Sequence, residues 1–124
     1  MTSSSNNHIH ALLFGLNEEL AGELQQPLTK FCAQIHSESG CLKTVAKSSA
    51  QIIFCGADTE VVTKLRQTKP EAPIVVVSRY PEVSDWLDSI EAGATDYCAA
   101  PFEPAQMKWI LENSMLTAAH AAAA

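Results

Sequence analysis

No stretch of the 124 residues approaches the ~20 consecutive apolar side chains that a membrane-crossing helix needs. Met1 to Asn7 is polar where a secretory leader carries its hydrophobic segment, so a cytoplasmic location is expected. Positive charge is scarce too: Lys and Arg number 8 against 14 Asp and Glu, a formal net charge of −6. That deficit opposes binding to nucleic acid phosphate. Lys43, Lys47, Lys64, Arg66 and Lys69 are scattered among acids, as on solvated helix faces. The sequence therefore argues against direct nucleic acid binding. The four cysteines, Cys32, Cys41, Cys55 and Cys98, lack CxxC or paired Cys/His spacing and read as reduced core thiols rather than as a zinc or redox site. His8 and His10 read as polar flanks of a strand start, not as metal ligands. Neither GxGxxG nor GxxxxGK[ST] occurs, which removes the main ground for a flavodoxin-like cofactor binder. No cofactor is expected.

What is present is one domain's worth of chain with 47% hydrophobic residues, enough for a single core. The domain is expected over 9–117, after a disordered tail at 1–8. The alanine-rich stretch 118–124 reads as a tail, a linker or a prolongation of the last helix. Ile9 to Phe14 is a short apolar run ending at Gly15, a first strand. Leu20, Leu24, Leu28 and Phe31 then form a helical stripe, with Asn17 placed to cap it, Glu18 and Glu19 at its positive end, and Pro27 placed to kink or shorten it. Ala33 to His36 gives a brief second strand, and Leu42, Val45 and Ala46 one face of a short helix. Gln51 to Cys55 is β-prone, and a helix from about Asp58 carries Val61, Val62 and Leu65. The β-branched run Ile74 to Val77 suits a central parallel strand. Ser84 is placed to cap a helix holding Leu87 and Ile90, closed by Gly93. Asp96 to Ala99 makes a last strand, and Pro104 opens a helix through Met107, Ile110, Leu111 and Met115. Five βα units predict an α/β doubly wound, five-stranded parallel sheet, with helices on both faces.

In such sheets chemistry gathers at the carboxyl ends of the strands, which directs attention to Gly15, Leu16, Gly56, Ser78, Arg79, Ala99 and Ala100. Magnesium-assisted phosphoryl transfer needs hard oxygen ligands, an acceptor carboxylate and a neutralising cation. Gly15, Leu16, Gly56, Ala99 and Ala100 supply none of these. Ser78 keeps a polar side chain, but a serine without a neighbouring base reads as a strand-end hydrogen bonder, not a nucleophile. The sequence predicts no enzyme activity.

The motifs PIVVVS, EAGATDY and APF, within a span of about Ile9 to Leu116, resemble the receiver domains of bacterial two-component response regulators, the CheY-like fold with sheet order 2-1-3-4-5. The resemblance places Gly15 and Leu16 at the family's acidic pair, Gly56 at its phosphorylated aspartate, Ser78 at its Thr/Ser position, and Ala100 at its lysine before proline. Only the hydroxyl is kept. The segment after Gly56 is shorter than the family loop, and Arg79 stands where a small residue normally keeps the pocket open. The resemblance thus implies a pseudo-receiver: a phosphorylation-independent module acting through protein–protein contact or dimerisation. Its signalling face, the fourth helix, fifth strand and fifth helix, maps to Trp86, Asp88, Ser89, Tyr97, Met107, Lys108 and Trp109, with Tyr97 at the position of the family's switch aromatic. Trp109 lies off the stripe of Met107, Ile110 and Leu111, near Ala105 and Leu116, and reads either as a second apolar surface or as cover for the sheet edge. The rival reading is a phosphorelay receiver with an acid site rearranged around Asp58, Glu18 and Glu19. Against it, these acids suit helix capping and first-turn positions.

Overall fold

The computed structural model describes residues 9–80 and 82–123, with side-chain surroundings through Ser114. Five strands and five helices alternate along the chain: β1 (Ile9–Phe14), α1 (Glu18–Leu28), β2 (Cys32–Glu38), α2 (Leu42–Lys47), β3 (Ile52–Cys55), α3 (Thr59–Thr68), β4 (Ile74–Ser78), α4 (Val83–Ala92), β5 (Asp96–Ala99) and α5 (Pro104–Ala123). The sheet order is β2-β1-β3-β4-β5 and every pairing is parallel. This is the doubly wound architecture that the alternation of strand and helix patterns predicts. The expected tail at 1–8, including His8, lies outside the described residues, as do the side chains of Met115 and Leu116.

Parallel strands inside such a sheet are covered on both faces and so are apolar at consecutive positions. All four residues of β3 and the first four of β4 are buried. Odd residues of β1 (Ile9, Ala11, Leu13) join Ile52, Phe54, Val75 and Val77 beneath α1 and α5, which contribute Leu20, Leu24, Leu28, Met107, Ile110 and Leu111. Leu12, Phe14, Ile53, Cys55, Ile74 and Val76 face the other way, against Val45 of α2 and Val62 and Leu65 of α3. Two apolar layers result.

The helix ends follow local chemistry. Asn17 Oδ1 accepts from the Leu20 N–H at 2.7 Å and caps α1, with Glu18 and Glu19 in its first turn. Pro27 sits buried in the last turn, and the helix closes one residue later at Leu28. Asp58 Oδ1 accepts from the N–H groups of Glu60 (3.0 Å) and Val61 (3.4 Å), capping α3. Gly93 closes α4 with φ +121°, a backbone that L side chains rarely adopt.

Two expectations are corrected, and the direction of α4 is new. Ser84 does not cap α4: Glu82 holds the N-cap position, without a side-chain bond, and Ser84 lies exposed in the first turn. Leu87 and Ile90 do not face the core. Together with Val83 and Trp86 they point to solvent, with relative exposures of 50%, 40%, 70% and 46%, while Ser89 is buried on the inner side. Periodicity identifies an apolar stripe but not its direction, and here the small residue is the one that faces the rest of the fold. Nor are all four cysteines in the core. All are free and three are buried, but Cys41 is exposed at the N-cap of α2, after the bend at Ser39 and Gly40 that follows β2.

Candidate functional site: the carboxyl rim and the outer face of α4

At the carboxyl rim, β1 is followed by Gly15, whose φ is +68° and whose N–H donates to the Glu38 carbonyl at 2.7 Å. Leu16 turns onto the α1/α5 side of the core, as does Ala100. Gly56 follows β3 with open space where a Cβ would stand. The Ser78 hydroxyl accepts from the Tyr80 N–H at 3.2 Å, and the Ser78 carbonyl accepts from Ala100 N–H at 2.9 Å. The bond Ala100–Pro101 is cis.

The polar feature of this rim is an ion cluster. Arg79 Nη1 donates to Glu23 Oε2 at 3.1 Å, and Nη2 lies 3.9 Å from Glu19 Oε1. The arginine thereby joins the end of β4 to the first turns of α1. Bonding to Glu23 raises the pKa of the guanidinium, with the charges of Glu23 and Glu19 adding to the effect. Two carboxylates near the rim are therefore engaged by a fixed cation, and Asp58 is engaged by backbone N–H groups.

A magnesium-binding receiver pocket needs several carboxylates converging on one point. Among the described residues no group of three His, Cys, Asp or Glu side chains is placed to hold a metal ion. The residues at Gly15, Leu16 and Gly56 do not fit such an ion.

Of the side chains expected on the signalling face, Trp86, Asp88, Lys108 and Trp109 are exposed, Trp109 at 60%. Ser89 and Met107 are corrections: both are buried, at 1% and 0% exposure. Met107 belongs to the apolar layer under α5, and Ser89 lies on the inner side of the reversed α4. Tyr97 is half-buried against the α2/α3 side of the core, with its hydroxyl buried and unbonded among the described residues. Sequence reasoning missed the exposed apolar set of Tyr80 (79%), Val83, Leu87 and Ile90. The spacing 83, 86/87, 90 was the available signal, since it defines one helix face.

No protein-family model and no curated protein sequence matches the chain. Solved structures do. A CheY-like response regulator receiver domain from Methanospirillum hungatei JF-1 is 14% identical with a TM-score of 0.77, over 90% of this chain and 97% of that one. A putative response regulator from Chloroflexus aurantiacus J-10-fl is 21% identical with a TM-score of 0.74, over 88% and 99%. The beryllofluoride-activated NtrC4 receiver domain, solved as a dimer, is 12% identical with a TM-score of 0.74, over 88% and 98%. With its parallel order β2-β1-β3-β4-β5 and five helices, the chain has the fold of the CheY-like receiver domains.

Proposed function

We propose that the chain is a pseudo-receiver, a signalling module that docks a protein partner or a second copy of itself without being phosphorylated. The observation that carries this reading is the reversed α4, with its exposed stripe of Val83, Trp86, Leu87 and Ile90, preceded in the chain by the exposed Tyr80. A soluble domain seldom leaves so many large apolar groups on one helix unless something covers them. Trp109 on α5 is also exposed, as are Asp88 and Lys108, and the reading includes them as the second part of the surface.

Support for phosphorylation independence comes from the rim. Glycine stands at the expected acceptor position and alanine at the expected lysine, and nearby carboxylates serve Arg79 or a helix cap. The alternative centred on Asp58 and Glu18 would have to take Asp58 from the α3 cap, at a cost of about 1 kcal/mol. A regulatory domain within a larger cytoplasmic protein suits this reading. Among the described residues no helix is long and apolar enough to cross a membrane.

Light scattering across a concentration series tests the surface. The chain, alone or with its captured partner, is expected to form a complex that Leu87→Lys abolishes, with folding unchanged because Leu87 is half exposed. A complex indifferent to Leu87→Lys, Trp86→Ala and Trp109→Ala would remove α4 and α5 from the interface. Amide NMR with magnesium and beryllofluoride tests the rim, where no saturable shifts at Gly56, Ser78 or Tyr97 are expected.

A further inference from the structure

On the opposite edge of the sheet, most residues of β2 are exposed or half-buried. A six-residue helix such as α2 is about 9 Å long, whereas the seven residues of β2 extend about 23 Å. α2 is therefore too short to run the full length of the strand. A groove of about 650 Å³ lies between β1, β2 and the α2–β3 connection, within the range that small-molecule sites occupy.

Its lining is rich in hydrogen-bond donors. Parallel register sets His10 opposite Gln34 and Leu12 opposite His36, so two imidazoles and an amide share one face of the two strands. Lys47, from the end of α2, and Ser49 add an ammonium and a hydroxyl on the opposing wall. His10 Nδ1 stands 3.0 Å from Ser49 Oγ, and among the described residues Nε2 has no hydrogen-bond partner. Among the described residues nothing bonds the side chains of Gln34, His36 or Lys47.

Glu38, the one carboxylate in the lining, already accepts from the N–H groups of Gly40 (3.2 Å) and Cys41 (2.9 Å). The wall that carries Lys47 and Ser49 is tied in place. Lys69 Nζ donates to the Ser48 carbonyl at 2.8 Å, Ala50 N–H to Ser48 Oγ at 3.0 Å, and His10 N–H to Gln51 Oε1 at 2.9 Å. A shaped groove with surplus donors and a cation favours an oxygen anion.

We propose that the groove between β2 and α2 binds a small molecule through its carboxylate or phosphate group, held by Lys47, His10, His36 and Gln34. This site is remote from the α4 stripe in sheet order and stands whether or not that stripe docks a protein.

The test is amide NMR of the intact chain titrated with inorganic phosphate and, separately, with succinate, each to about 10 mM so that a millimolar Kd saturates. Saturable shifts at His10, His36, Lys47 and Ser49 are expected with at least one probe, and the responding probe distinguishes the phosphate source from the carboxylate source. Lys47→Ala is expected to weaken binding about tenfold, whereas Lys43→Ala, on the same helix but outside the lining, leaves it intact. Shifts that fail to saturate with both probes, or that the two variants weaken equally, would overturn the assignment.

Discussion

Single side chains show how burial decides chemistry in this fold. Burial pushes the Cys32 thiol up to about 11 and those of Cys55 and Cys98 up to about 12, with Asp58 and Asp96 adding like-charge opposition at the latter two. Cys41 goes the other way, its thiolate favoured by hydrogen bonds from the Thr44 side chain and the Thr44 and Lys43 backbone. Iodoacetamide at about pH 8, where accessible low-pKa thiols react first, is expected to add one group per folded chain, at Cys41. Peptide mass spectrometry checks it; equally rapid modification of Cys55 or Cys98 would mean that the core opens on the labelling timescale. Glu38 titrates under similar local control. Backbone N–H groups of Cys41 and Gly40 hold its carboxyl below the usual range, so its contribution to stability is present above the unfolded pKa and is lost as pH falls through the folded one.

At the level of elements, the contact between α3 and the end of α4 depends on one arginine and one glycine. Arg66 donates to the carbonyls of Gly93 (3.1 and 2.9 Å), Ala72 (2.7 Å) and Pro70 (2.9 Å), tying α3 to the α3–β4 connection and to the end of α4. A Cβ at Gly93 would stand 3.1 Å from Arg66 Cγ, and the φ of +121° adds backbone strain. Gly93→Ala is therefore expected to destabilise the domain by about 1–3 kcal/mol, as read by urea unfolding; a change below about 0.5 kcal/mol would show that the turn relaxes freely.

This clasp also marks where sequence reading stopped. The unbroken apolar runs of β3 and β4 and the Asn17 and Asp58 caps could be read directly, because each depends on neighbours in the chain. The outward turn of α4 depends on packing against α3 and β5, which no local period encodes, and the same holds for the pairing of Arg79 with Glu23 across 56 positions. At the rim, the sequence supplies the identities of Gly15, Leu16, Gly56 and Ala100, which lack acid or amine groups. That an arginine would engage its nearby acids was not legible.

For the whole molecule, the pseudo-receiver proposed above is tested by supplying one carboxylate at the rim. Gly56 has open space around its Cα, so Gly56→Asp introduces a carboxylate at the expected acceptor position without a clash. Surface changes of that kind usually leave stability within about 0.5 kcal/mol. A lone carboxylate is nevertheless insufficient for metal-assisted phosphoryl chemistry, which also needs further oxygen ligands and a countercharge. Gly15 has a left-handed backbone unfavourable to side chains, Leu16 and Ala100 are packed on the core, and Arg79 is paired with Glu23 and Glu19. The Gly56→Asp protein is expected to remain folded and to show no saturable amide shifts with magnesium and beryllofluoride. A saturable response would mean that Glu18, Glu19 or Asp58 leaves its present position to complete a metal site, and that this fold sits one substitution from a working receiver. Silence, alongside an undiminished complex through α4, would separate docking from phosphoryl chemistry in the same chain.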